Sequence, residues 1–78
     1  MPHVLVKMYS GRSEKDKNRL AAEITKAVTT VLHYGEGSVS VAIQDVAPQD
    51  WLEKVYKPDI LGHPKQIYKQ PGYDPDSL

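Results

Sequence analysis

The chain opens on an apolar run. Val4, Val6 and Met8 fall on one face of an extended segment and His3, Leu5, Lys7 and Tyr9 on the other. The run is apolar and rich in β-branched residues, without glycine or proline, so residues 4–9 are predicted to form a strand. Both faces carry apolar groups, which suits a strand covered on both sides. Ser10-Gly11 ends it. The period then changes. Leu20, Ile24, Ala27, Val28 and Val31 recur at i, i+4, i+7, i+8 and i+11, the spacing of an amphipathic helix with one apolar stripe. That helix is expected over 14–32. Ser13 can cap its free N–H groups while Asp16 returns the bond, as in a capping box. Glu14 and Asp16 favour the positive helix end, and Gly35 is the expected C-terminal glycine. Beyond it Val39, Val41 and Ile43 alternate with Ser40, Ala42 and Gln44, a second strand over 38–46.

Strand, helix, strand is a βαβ unit with parallel strands and a right-handed crossover. The expected fold class is therefore α/β, a single βαβ unit followed by a short second helix and a C-terminal tail. Pro48 suits the first turn of that second helix. Trp51, Leu52, Val55 and Tyr56 would form its apolar face, and Pro58 would end it. The tail holds Ile60, Leu61, Ile67, Tyr68 and Tyr73, too many apolar groups for a free linker. It is expected to pack on the body or on a partner, with a short helix over about 64–69 and loose final residues. One domain is expected over 1–78, with a body at 2–57 and a tail at 58–78.

Size sharpens this picture. A chain of 78 residues buries only about 60% of its unfolded surface. It has no cysteine, so no disulfide and no thiolate metal site can reinforce it. A two-stranded sheet with two open edges is not independently stable. The expectation is a homo-oligomer, a dimer, in which two chains complete a larger sheet. Ten basic and ten acidic residues give a net charge of zero, without long runs of either sign. That pattern argues against nucleic acid or an anionic membrane as partner. No signal-peptide pattern and no long apolar run is present, and the cytoplasm is the default location. No metal or cofactor is expected: His3, His33 and His63 have no paired acids and read as structural or surface residues. Gly35-Glu36-Gly37 lacks the third glycine and the following helix of a nucleotide loop.

Two positions carry candidate chemistry. If Met1 is removed, Pro2 becomes the N-terminus and its nitrogen a secondary amine. A free α-amino group titrates near ~7.7–8.0, and the ring locks φ near about −65°. Pro2 is then a base that no side chain provides. Arg12 lies between a strand end and a helix start, where functional residues concentrate. Its guanidinium binds a carboxylate through two parallel bonds and keeps its charge. Trp51, the only tryptophan, suits either a core or the wall of an apolar pocket.

Pro2 before a strand, Gly11-Arg12-Ser13, a helix, Ser38-Val39-Ser40-Val41 on a second strand, and an aromatic at 51 together resemble the 4-oxalocrotonate tautomerase family. The similarity covers residues 2 to about 51. The tail, with Val55-Tyr56 and Pro71-Gly72-Tyr73, is similar to the longer-chain branch, which tends to form dimers rather than hexamers. The resemblance implies a tautomerase acting on small 2-keto or 2-hydroxy-dienoate carboxylic acids. Pro2 would be the general base and acid, Arg12 the substrate-carboxylate arginine, and Trp51 the pocket aromatic, usually phenylalanine. Shorter members carry a second arginine on the second strand; this chain has Ser40 there, as a substrate-binding candidate. Chemically, a neutral Pro2 amine takes a proton from carbon beside a carbonyl and returns it at another atom. Burial and a nearby arginine both disfavour the charged amine, and Arg12 adds positive charge for the anionic intermediate. A dehalogenase, hydratase or decarboxylase of the same superfamily would instead use protonated Pro2 as an acid. A non-catalytic oligomeric binding protein is the third reading, favoured if Met1 stays on.

Overall fold

Alternation and helical period translate directly into a first compact unit, Met1–Asp45. In the computed structural model, which describes residues 1–78, strand β1 spans His3–Tyr9, helix α1 Glu14–Leu32, and strand β2 Ser40–Val46. The two strands are hydrogen-bonded neighbours. The Ser40 N–H donates to the Pro2 carbonyl at 3.1 Å, so the strands start side by side and run parallel, as the βαβ reading requires. β2 begins two residues later than the alternation suggests. The backbone N–H and the hydroxyl of Ser38 both donate to the Gly35 carbonyl, at 3.0 and 2.8 Å. They close a single 3₁₀ turn over Glu36–Ser38 instead of starting the strand.

Ser13 caps α1 as expected: its backbone is extended and its Oγ accepts from the Asp16 N–H at 3.1 Å. The reciprocal half of the box is replaced, because the Asp16 carboxylate pairs with Arg12 at 3.5 Å. The helix stop also differs. His33, not Gly35, takes the left-handed conformation (φ 61°, ψ 31°), and its N–H donates to the Thr29 carbonyl at 3.0 Å. Histidine tolerates that region better than bulky or branched residues, so the helix closes before the glycine is reached. Gly11, at φ 119°, is the position where the turn after β1 does require glycine.

The apolar stripe of α1 is rotated from its expected place. Lys17, Ala21, Ile24, Thr25, Val28 and Thr29 are half-buried, whereas Ala27 is exposed and Val31 is 72% exposed. Two strands cover one narrow seam of a helix and no more. No residue of α1 is fully buried. On β1, Val4, Val6 and Met8 are half-buried and Leu5 is 50% exposed. The second face of that strand is therefore open. Lys17 Nζ ties α1 to the end of β2 through Asp45 Oδ2 at 2.8 Å.

The second unit, Val46–Leu78, holds the buried side chains Val46, Val55 and Tyr56. A 3₁₀ turn at Pro48–Asp50 leads into a helix over Leu52–Leu61. Pro58 does not end this helix. The segment is wound as a π-helix with Pro58 inside it. In an α-helix the proline ring collides with the carbonyl four residues back; the wider π turn moves that carbonyl aside. The helix stops at Gly62, where a β-carbon would run into the Pro58 carbonyl. Ion pairs Asp50–Lys54 (3.4 Å) and Glu53–Lys57 (2.6 Å) line its outer face. In place of a helix over 64–69 there is one 3₁₀ turn, Pro64–Gln66. The last residues are ordered by Asp74, whose carboxylate accepts from the Asp76 N–H at 3.0 Å and starts a turn over Pro75–Ser77. No helix is long and apolar enough to cross a membrane.

Candidate active site

Parallel pairing brings the two strand starts together, and with them Pro2 and Ser40. Pro2 is half-buried, and its carbonyl is held by the Ser40 N–H. Met1 beyond it is 91% exposed. The Ser40 Oγ lies 2.6 Å from Nδ1 of His3, a short bond for this pair of atoms. His3 thus joins the group, although the sequence pattern marks it only as a surface or structural residue. Its one sequence signal is register: residues that open two parallel strands and share a face become neighbours.

Arg12 is at the other end of β1. It follows the left-handed Gly11 and precedes the cap Ser13. Its guanidinium is 70% exposed and its one ion pair is with Asp16. With Met8, Asp16, Arg19, Leu20 and Glu23 it lines an open groove of about 440 Å³. Arg19, which sequence reasoning did not single out, adds a second guanidinium there from the second turn of α1. The seven residues of β1, at about 3.3 Å each, hold Pro2 and Arg12 of one chain more than roughly 20 Å apart. The monomer does not bring the two together.

Trp51 belongs to the second unit. Its indole N–H donates to the Tyr73 hydroxyl at 2.9 Å. The Tyr73 ring in turn packs on Tyr56, with centroids 5.8 Å apart and planes tilted by 49°, a favourable aromatic arrangement. The indole N–H is thus committed within its unit while the ring stays half-buried. Lys17 has the one clearly shifted titration in the chain. The hydrogen bond it donates to Asp45 raises its pKa, against a smaller opposing effect of burial.

A parallel βαβ unit with proline ahead of its first strand and arginine in the following turn defines a small α/β class, and comparison with known proteins identifies it. The sequence profile described as "Tautomerase enzyme" matches residues 2–55. A probable tautomerase of Xylella fastidiosa is 42% identical over 73 residues, spanning 94% of this chain and 89% of the relative. Tautomerase PptA of Klebsiella pneumoniae is 38% identical over 74 residues, 94% of this chain and 97% of that protein. The crystal structure of YwhB, a homologue of 4-oxalocrotonate tautomerase, superposes with a TM-score of 0.58 at 33% identity, covering 59% of this chain and 75% of that one. The chain belongs to the tautomerase family, a family of isomerases.

Proposed function

We propose that this protein moves a proton within small 2-keto or 2-hydroxy-dienoate carboxylic acids, with the N-terminal amine of Pro2 as general base and acid. The observation that carries the reading is the setting of Pro2. It is half-buried at the head of β1 and pinned through its carbonyl, and only an exposed methionine stands between it and a free amine. The family match itself begins at residue 2. Loss of Met1 leaves a secondary amine whose direction is set by the ring and by the Ser40 bond. The amine takes a proton from carbon beside the substrate carbonyl, or from the hydroxyl of an enol; the electron pair is held as an enolate, and Pro2 returns the proton at another atom, which in ketonisation is carbon.

Arg12 holds the substrate carboxylate, exchanging its Asp16 partner for the ligand. Because Arg12 lies a full strand length from Pro2 of its own chain, the arginine comes from a second copy. A two-fold homodimer with strands antiparallel across its axis sets the start of one β1 near the end of the other. The open faces support this assembly: α1 has no fully buried residue, and Leu5, Tyr9, Val31 and Leu32 are all substantially exposed. Such apolar exposure marks an interaction surface. The reaction needs no cofactor, and the enzyme works in the cytoplasm.

The test is ketonisation of the enol of phenylpyruvate by Met1-free protein, with intact mass confirming the N-terminus. Pro2→Ala is expected to lose nearly all activity, since a primary amine in a displaced position is a poorer base. Full activity in Pro2→Ala would remove Pro2 from the mechanism.

A further inference from the structure

Moving a proton beside a carbonyl places negative charge on oxygen, and that oxygen needs a hydrogen-bond donor next to the base. Arg12 does not fill this role alone. A guanidinium bonded through two N–H groups to a carboxylate is already engaged. Within the chain itself, the strand starts present two polar side chains close to Pro2, His3 and Ser40. His3 is the next residue after Pro2, with Cα atoms about 3.8 Å apart, and it is exposed rather than packed away. We propose that His3 is a catalytic residue whose Nε2–H binds the developing enolate oxygen, and that Ser40 is the positioning residue that aims it. The inference rests on the proposed proline-based tautomerisation.

Ser40 is suited to this task by two bonds. Its backbone N–H fixes the Pro2 carbonyl at 3.1 Å, and its hydroxyl meets His3 Nδ1 at 2.6 Å. One residue thus sets the position of both the base and the donor. In the proposed arrangement the Ser40 hydroxyl donates to Nδ1. A neutral imidazole that accepts at Nδ1 carries its hydrogen on Nε2. A charged imidazole carries hydrogens on both nitrogens, and Nδ1 then donates to the hydroxyl. In both of these states Nε2 carries a hydrogen and can donate it. His3 transfers no proton: in ketonisation Pro2 takes the proton from the enol hydroxyl, the resulting enolate carries its charge on oxygen within reach of the Nε2–H, and Pro2 delivers the proton to carbon as the carbonyl re-forms.

The experiment follows enol-phenylpyruvate ketonisation by Met1-free protein, with imidazole ¹⁵N NMR as a second readout. His3→Ala is expected to lower kcat about 100-fold, the loss typical of one oxyanion donor, with KM changed by less than threefold. His3→Gln, which keeps an N–H donor, recovers part of that loss. Ser40→Ala lowers kcat less than His3→Ala, and Ser40→Thr restores it. In the NMR spectrum the wild type shows one tautomer protonated at Nε2, and Ser40→Ala shows a mixture. Because His3 is exposed, these variants keep the fold, which circular dichroism checks. Unchanged kcat in His3→Ala alongside an inactive Pro2→Ala overturns the role of His3 and leaves the base intact. An active Pro2→Ala overturns the proposed function itself. A wild-type ring protonated at Nδ1 alone overturns the assignment of Ser40.

Discussion

If one site draws Pro2 from one chain and Arg12 from another, two dead variants must rescue each other. The geometry sets the expectation. β1 has seven residues and spans about 23 Å at roughly 3.3 Å per residue, with the Gly11 turn lengthening the path to Arg12. That is several times the reach of a guanidinium, so Arg12 cannot act on the Pro2 of its own chain. Pro2→Ala and Arg12→Ala are each expected to be nearly inactive as pure homodimers. Mixed in equal amounts and allowed to exchange subunits, they assort so that about half of the dimers are mixed. In each mixed dimer one site combines Pro2 from the Arg12→Ala chain with Arg12 from the Pro2→Ala chain, and the other site lacks both. Activity should therefore return to about a quarter of that of the same amount of wild type. The assay is enol-phenylpyruvate ketonisation before and after exchange, with native mass spectrometry of differently labelled chains to count mixed dimers. Zero recovery with half of the dimers mixed would refute the shared site. Two-fold assembly would then bear on stability alone.

Other consequences concern the backbone and one ion pair. His33→Gly relieves the left-handed strain of about 1–2 kcal/mol and adds roughly 0.4–1 kcal/mol of chain entropy to the unfolded state; a net gain of about 0.5–1 kcal/mol should appear as a higher urea midpoint. Gly62→Ala forces a β-carbon onto the Pro58 carbonyl and should cost about 1–3 kcal/mol, measured by the same titration. Lys17, only 17% exposed and bonded to Asp45, has a raised pKa in the folded chain. Its contribution is fully present below the ordinary lysine pKa and is lost as pH rises through the higher folded value. Wild type should therefore lose more stability than Lys17→Met above about pH 10.5, and parallel pH profiles of the two proteins would count against the Asp45 bond.

Local patterning was enough for the elements that local physics decides. The alternation at Val4, Val6 and Met8 and the helical period through Ile24 and Val28 set the β1–α1–β2 order, because side-chain direction follows the backbone repeat. The Ser13 cap was legible for the same reason, since its partner Asp16 lies one turn away. Pro2, Arg12 and the open sheet edges were also visible as candidates. What depends on distant residues was not. The rotation of the α1 seam toward Lys17 and Ala21 follows from which strands lie beneath it, not from the helix alone. The passage of a helix through Pro58 depends on a wider turn that no propensity encodes. His33 closes α1 because the chain must leave toward β2 before Gly35 arrives. The juxtaposition of His3 with Ser40 arises only when two strand starts come into register, and that register places a donor beside Pro2. Sequence alone marked Pro2 and Arg12 as candidates; tertiary structure decided which residues meet, because hydrogen-bonded pairing, unlike periodicity, joins residues far apart along the chain.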